Sequence, residues 1–328
     1  MYERYESSMK IIALFPVKND AWILPVTIPQ LKLFADEIIC LDGGSTDGTK
    51  ELLESYGVVV HDQDLTNINY SSWRQELLDA GRQRGGTHFI WLDADEAFTS
   101  NFLPHFIHEL TKLKPGQKLV MKWICLWKSA RVQRIDPCVW SNLYKDFVFC
   151  DDGTSMFGTT MLHEGRTPGD TTAESSIIVN PTIGAVLHFQ FAAFTRFQIK
   201  QVFQRCREYV LGHGTARRLN HKYRETLDDE KAATEKIPTS WLSGIEGIDS
   251  IVDTDSAWYH TEIINYFNKK GIEFFEPLEI WHVEKYKNMF IEKVGRSPHS
   301  LIYPKIVIYL NQVRKNILTT LSGTKLQK

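Results

Sequence analysis

The chain has 328 residues, 43% hydrophobic and 24% charged, with a formal net charge of −2. This length can bury a core for one large or two modest domains, and the near-neutral balance argues against a nucleic-acid partner, which would demand a basic face. Cys40, Cys125, Cys138, Cys150 and Cys206 are scattered without a C-x-x-C pair, so they suggest neither a disulfide framework nor a zinc site and fit a reducing compartment.

The first eight residues are polar and acidic, with no apolar stretch behind them. Apolar runs elsewhere are strand-sized, short of the ~20 residues a spanning helix needs. A cytoplasmic protein is expected, with peripheral contact at a membrane surface left open. The first half alternates β-rich runs with helical patterns, which predicts βαβ units and a parallel sheet. Strands are expected at 11–17, 37–41, 58–61 and 88–92. The stretch 22–35, interrupted by Pro25 and Pro29, reads as a turn and then a helix. A further helix begins at Ser71-Ser72, where Ser72 and Gln75 have the spacing of a capping box. Beyond lie an expected helix at 101–113, strands at 118–127 and 144–150, loops over 151–182 and a last strand at 183–189. From Phe194 the pattern turns helical, with Ile199, Val202, Phe203, Cys206 and Val210 on one side and Lys200, Gln204, Arg205 and Arg207 on the other. The charged stretch 215–236 reads as a surface helix or mobile segment. The tail from Pro304 carries an apolar stripe that either packs on the domain or docks on anionic lipid.

Two joints carry chemistry. The run His88-Phe89-Ile90-Trp91-Leu92 ends in Asp93-Ala94-Asp95-Glu96. On an extended segment residues two apart point the same way, so Asp93 and Asp95 are expected to converge. Unpaired carboxylates there would repel each other, and a hard cation such as Mg²⁺ or Mn²⁺ would relieve this while taking further ligands from substrate phosphates. A solvated turn is the alternative. The second joint is Asp42-Gly43-Gly44-Ser45-Thr46-Asp47-Gly48-Thr49, a strand end followed by tight-turning glycines and good N-cap residues.

This second joint closely resembles the D-D-G-S-T-D-G-T signature of family 2 glycosyltransferases, with Gly43 where a second Asp is more frequent. Asp93-Ala94-Asp95 resembles that family's DxD motif, and the strand running into Pro16-Val17-Lys18-Asn19-Asp20 is similar to its first strand. The resemblance covers about the first third of the chain. It implies an α/β, GT-A (Rossmann-like) fold: a mostly parallel sheet flanked by helices, with a mainly helical C-terminal extension. Residues 1–193 would form the domain that binds nucleotide-sugar and metal. Residues 194–328 would form the helical region, with acceptor or membrane-surface contact open.

By the same resemblance, Pro16, Lys18, Asn19, Asp20 and Asp42, with Gly44 and Ser45 of the signature and Asp93, would bind the nucleotide-sugar donor, and Arg74 would face its diphosphate. A solvated helix arginine is the other reading of Arg74. Asp93 and Asp95 would hold Mn²⁺ or Mg²⁺, and His188 would complete the coordination, although a lone strand histidine is more often structural. Inverting transfer needs a base for the acceptor hydroxyl. Glu164 in the His163-Glu164 pair is the preferred candidate, and Asp152, beside Asp151, the next. The expected activity is transfer of a single sugar, from a UDP-sugar by preference, to a glycan or lipid-linked acceptor. The processive Q-x-x-R-W motif is missing. A catalytically silent sugar- or nucleotide-binding module on the same fold remains an alternative, as does a sugar-nucleotidyltransferase, which would show a glycine-rich loop after its first strand.

Overall fold

A computed structural model describes residues 9–64, 69–138, 140–158, 165–169, 174–224, 232–251, 253 and 255–299. The chain divides into two compact units, Met1–Gln198 with Asp228–Trp258, and Ile199–Leu227 with Tyr259–Lys328. A single boundary near 193 does not anticipate the return of 228–258 to the first unit. The physical reason is burial of Ile237, Leu242, Ile245 and Ile248 in one apolar cluster with Ile23, Val26 and Leu187.

In chain order the first unit carries β1 (Ile11–Val17), α1 (Leu24–Leu31), β2 (Glu37–Asp42), α2 (Thr49–Ser55), β3 (Val59–Asp62), α3 (Tyr70–Gln83) and β4 (His88–Trp91). There follow β5 (Glu96–Phe98), α4 (Leu103–Leu110), β6 (Lys118–Cys125), β7 (Val132–Arg134), β8 (Leu143–Cys150), β9 (Ser176–Ile178) and β10 (Val186–His188). The remaining elements are α5 (Phe194–Val210), α6 (Ala216–Arg224), β11 (Thr234–Lys236), α7 (Ala257–Lys270) and α8 (Glu284–Val294).

The main sheet has the order β3-β2-β1-β4-β8-β6-β10-β5, with β9 also paired to β6, and β7 pairs with β11 separately. Strands β3, β2, β1 and β4 are mutually parallel, as are β6, β9 and β10. Strand β8 lies antiparallel between β4 and β6. This is a mixed α/β architecture with a mainly parallel sheet flanked by helices and a helical C-terminal part, as in the GT-A fold. Both faces of the sheet are covered, which explains why its strands read as continuous apolar runs. From β1, Ile11, Ala13, Phe15 and Val17 join the core that includes Leu24 and Ile28 of α1, while Ile12 and Leu14 join Leu77 and Leu78 of α3.

Several expected elements differ in detail. Helix α1 tolerates Pro25 because it falls in the first turn, where its missing N–H has no intrahelical partner anyway, and it retains Pro29 within. Helix α3 is not capped by Ser72. Asn69 accepts from the Ser71 and Ser72 amides, so the helix starts at Tyr70. In the second unit Arg205, expected on the polar side of α5, is fully buried. Its guanidinium donates to the Glu279 carbonyl at 3.0 Å and lies over the Tyr223 ring. Glu208 accepts from Lys222 and from the Tyr223 hydroxyl, and Phe267, Phe275 and Phe290 are buried there. No helix among the described residues is long and apolar enough to cross a membrane. The tail stripe from Pro304 lies outside the described residues, as does 225–231 of the charged stretch.

His88, at the start of β4, is buried, and burial pulls its imidazole down to about 4. The folded protein therefore refuses a proton that the unfolded chain accepts near pH 6.5. Stability from this site is complete above about pH 6.5 and drains away as pH falls towards about 4. Urea titrations between pH 7 and pH 4.5 should show a loss of about 2 kcal/mol that His88→Gln reduces; an unchanged pH slope in that variant would refute the assignment.

Candidate functional site

Because β1, β2 and β4 are parallel, their C-terminal ends share one edge of the sheet. Strands β6 and β10 also finish at that edge, since both run opposite to β8. Ligands of open α/β sheets bind beyond such strand ends. The first site element is the Lys18-Asn19-Asp20 turn after β1. Asn19 is buried and has φ +56°, a left-handed conformation that Asn tolerates better than most residues. The second element is the Asp42–Thr49 loop after β2.

These two loops are laced together. The Asn19 amide donates to Ser45 Oγ at 2.9 Å, and Asn19 Oδ1 accepts from the Thr46 amide at 2.7 Å. The Asp20 amide donates to Thr49 Oγ1, and the Ala21 amide to Asp47. Asp42 is buried, and its carboxylate accepts from the Gly44 amide at 3.1 Å, the Ser45 amide at 2.9 Å and Ser45 Oγ at 2.5 Å. Arg196, at the start of α5, donates to the Asn19 carbonyl at 2.6 Å and lies 3.6 Å from Asp20. Much of the donor-binding set expected from sequence thus meets at one place, with its polar atoms largely spent on holding the two loops. Among the described residues, the buried Asn19 Nδ2 has no hydrogen-bond partner. Pro16 pairs with Leu41 in the sheet, and Lys18 Nζ lies 5.5 Å from the Trp258 ring centroid. A Cβ at Gly43 would stand 3.1 Å from Gln63 Oε1 and 3.4 Å from Lys18 Cβ. Glycine in place of the more usual Asp lets those side chains close on the loop.

The acidic joint departs from its expected geometry. Strand β4 ends at Trp91, and Asp93 to Glu96 form a turn closed by a 2.9 Å bond from the Glu96 amide to the Asp93 carbonyl. Asp93 and Asp95 are therefore not brought together by strand alternation. Nor is Asp93 unpaired, because Arg166 donates to its Oδ2 at 2.7 Å. Glu96, the third acid, is the buried anchor. It accepts from Arg166 at 2.5 and 2.7 Å, from Trp123 Nε1 at 2.7 Å and from the Asp93 amide at 2.9 Å.

The Asp93 side chain keeps 40% of its surface exposed, so the burial that pushes its carboxyl up is partial. Arg166, with Arg74 and Lys145 behind it, outweighs both this and the repulsion of Asp95, holding the carboxyl below its usual range. Burial opposes the charge on Arg166, but Asp93 and Glu96 more than offset it. Arg74 reaches the site from α3, its guanidinium 4.7 Å from the Trp91 ring centroid.

Asp95 and His188 do come together. His188 is the last residue of β10, opposite Glu96 in the pairing with β5. Its Nε2 stands 3.5 Å from Asp95 Oδ1, long for a hydrogen bond, and its buried Nδ1 has no partner among the described residues. The ring is held by stacking on Trp123 at 4.3 Å and by the edge of Phe191. A buried, poorly satisfied imidazole beside a carboxylate fits a cation between them, and the nitrogen donor suits Mn²⁺ better than Mg²⁺. Among the described residues no group of three or more His, Cys, Asp or Glu side chains forms a metal cage.

Of the two candidate bases, Glu164 lies outside the described residues, as does His163. Asp152 requires a correction. Strand β8 pairs antiparallel with β4, with His88 opposite Cys150, so Asp151 and Asp152 sit at the far edge of the sheet. That is about 20 Å from Asp93 by strand rise. There Asp151 pairs with Arg82, and Asp152 caps its own turn through Thr154 and Ser155, which hold its carboxyl well below its usual range. It cannot act as the acceptor's base.

Sequence reasoning missed Arg166, Arg196 and Lys145. Lys145 is near the start of β8, 3.4 Å over the Trp123 ring. Burial, then Arg166, pulls its ammonium pKa down, against Glu96 and Asp93. Parallel strands deliver their ends to this edge, and their polar residues stand out after apolar runs. An antiparallel strand delivers its beginning there instead, and no such signal marks Lys145.

Residues 13–122 match the model of glycosyl transferase family 2. No curated protein matches this chain. Among solved structures it is similar to glucosyl-3-phosphoglycerate synthase from Mycobacterium tuberculosis in complex with Mn²⁺, uridine diphosphate and glucosyl-3-phosphoglycerate, at 22% identity over 38% of this chain and 46% of that one, with a TM-score of 0.28. The chain spans under half of that synthase's length. It is also similar to TarS of S. aureus, at 12% identity over 87% of this chain and 53% of that one, with a TM-score of 0.37.

Proposed function

We propose that this protein transfers a single sugar from a nucleotide-sugar donor, a UDP-sugar by preference, to a glycan or lipid-linked acceptor with inversion at the anomeric carbon. The observation that carries the proposal is the meeting, at one sheet edge of a family 2 domain, of the Asn19 turn, the Asp42 loop, the Asp93–Glu96 turn and His188. In this reading the laced loops form the floor for base and ribose, and Asn19 Nδ2 is the free donor that reads a base or ribose oxygen. Asp95 and His188 hold Mn²⁺ or Mg²⁺, with Asp93 beside them on Arg166. The chemistry a cation supplies there is neutralisation of the departing diphosphate. Arg166 and Glu96 keep the turn rigid, so the acids need no rearrangement when the donor arrives. The acceptor's base is a carboxylate on the sugar side, for which Glu164 is the proposed residue.

A thermal-shift screen of nucleotide sugars with Mn²⁺ tests the donor reading, because a ligand that binds only the folded state raises its apparent stability. A shift of several degrees with one donor, and slow release of its nucleotide without acceptor, is expected; binding without any turnover across acceptors would favour a silent binding module. Asp95→Asn should lower turnover by roughly a hundredfold or more while leaving the melting temperature unchanged. Wild-type rates in that variant would remove the metal role. Calorimetry should show donor binding that needs Mn²⁺ or Mg²⁺, and equal affinity in EDTA would count against it.

A further inference from the structure

We propose that Lys145 is a further residue of the transfer reaction, its ammonium donating to an anionic oxygen of the donor's diphosphate. The inference rests on the nucleotide-sugar reading above. Lys145 faces Met121 in the β6–β8 pairing, near the start of β8, and so reaches the edge that carries the Asp93–Glu96 turn. Its Nζ sits 3.4 Å over Trp123, the indole that also stacks on His188 at 4.3 Å. The indole thus stands between the ammonium and His188, and the charges that bear on Lys145 are those of Arg166, Glu96 and Asp93.

Among the described residues Lys145 makes neither a hydrogen bond nor an ion pair; its one close contact is the indole face, with the charges of Glu96 and Asp93 acting from farther off. An ammonium has three N–H donors, and a desolvated one without acceptors is costly. The neighbouring carboxylates are committed elsewhere. Asp93 accepts from Arg166, and Glu96 from Arg166, Trp123 and the Asp93 amide. No described residue supplies an acceptor for its N–H groups, and an anionic one would match the charge. A diphosphate carried to this edge meets that need. In the transfer step the bond from the anomeric carbon to the β-phosphate oxygen breaks, and both electrons stay on that oxygen. The acceptor oxygen bonds to the carbon, and its proton passes to the general base. Lys145 keeps its own proton and stabilises the charge growing on the diphosphate.

The probe is inorganic pyrophosphate with Mn²⁺, which carries the anion without base or sugar. Calorimetry on the full chain should show Lys145→Met binding it about tenfold more weakly or worse, as for a lost charge-assisted hydrogen bond, with Lys145→Arg restoring most of the affinity. Melting temperatures and the binding of Mn²⁺ alone should stay at wild-type values. Lys145→Gln, which keeps a polar side chain of similar length, replaces the methionine variant if that one does not fold. Pyrophosphate affinity equal to wild type in the folded variant overturns the inference. If wild type binds pyrophosphate and the variant does not, yet no nucleotide sugar binds either, Lys145 stands as an anion site and it is the donor reading that fails.

Discussion

The carboxylate of Glu96 is the constraint on which the site depends. It is 1% exposed, and a charge so removed from water is tolerable only when every lone pair is met. Here an indole, a backbone amide and a guanidinium meet it, and each comes from a different part of the chain. Trp123 brings β6, Arg166 brings the segment after β8, and the Asp93 amide closes the turn on itself. The turn that presents Asp93 and Asp95 is thus fixed from beneath by an acid that is not itself presented.

The second consequence concerns charge. Asp93, Asp95 and Glu96 stand against Arg74, Lys145 and Arg166, and the electrostatics of Asp93 register all three cations. Paired acids at a strand tip call for an ion when nothing else answers them, yet this tip already holds an arginine. The three acids also divide their roles, since Asp93 faces Arg166, Asp95 faces His188, and Glu96 braces both.

The Asp42–Thr49 signature shows a comparable division. Its side chains are spent mostly on joining the turn after β1 to the loop after β2, through Ser45, Thr46, Asp47 and Thr49. A rigid floor made in this way keeps a few atoms well placed for a ligand while leaving few free, and Asn19 Nδ2 is the buried one. Residue types typical of nucleotide recognition can therefore act by shaping the loop.

Local pattern alone determined much of this protein. The apolar runs of β1, β2 and β4, the helical stripe of α3 and the turn that Asp42 makes with Gly44 and Ser45 are set by neighbours a few residues away, so they were legible in the order of residues. The parallel half of the sheet followed from their alternation. Tertiary structure decided the rest. Whether β8 ran with or against β4 could not be read from its apolar sequence, and that direction sent Asp152 to one edge of the sheet and Lys145 to the other. The partner of Asp93 lies 73 residues away, and that of Glu96 on β6 lies 27 residues away. Charge pairing across such separations depends on which strands become neighbours, and this is settled only when the sheet closes over its core.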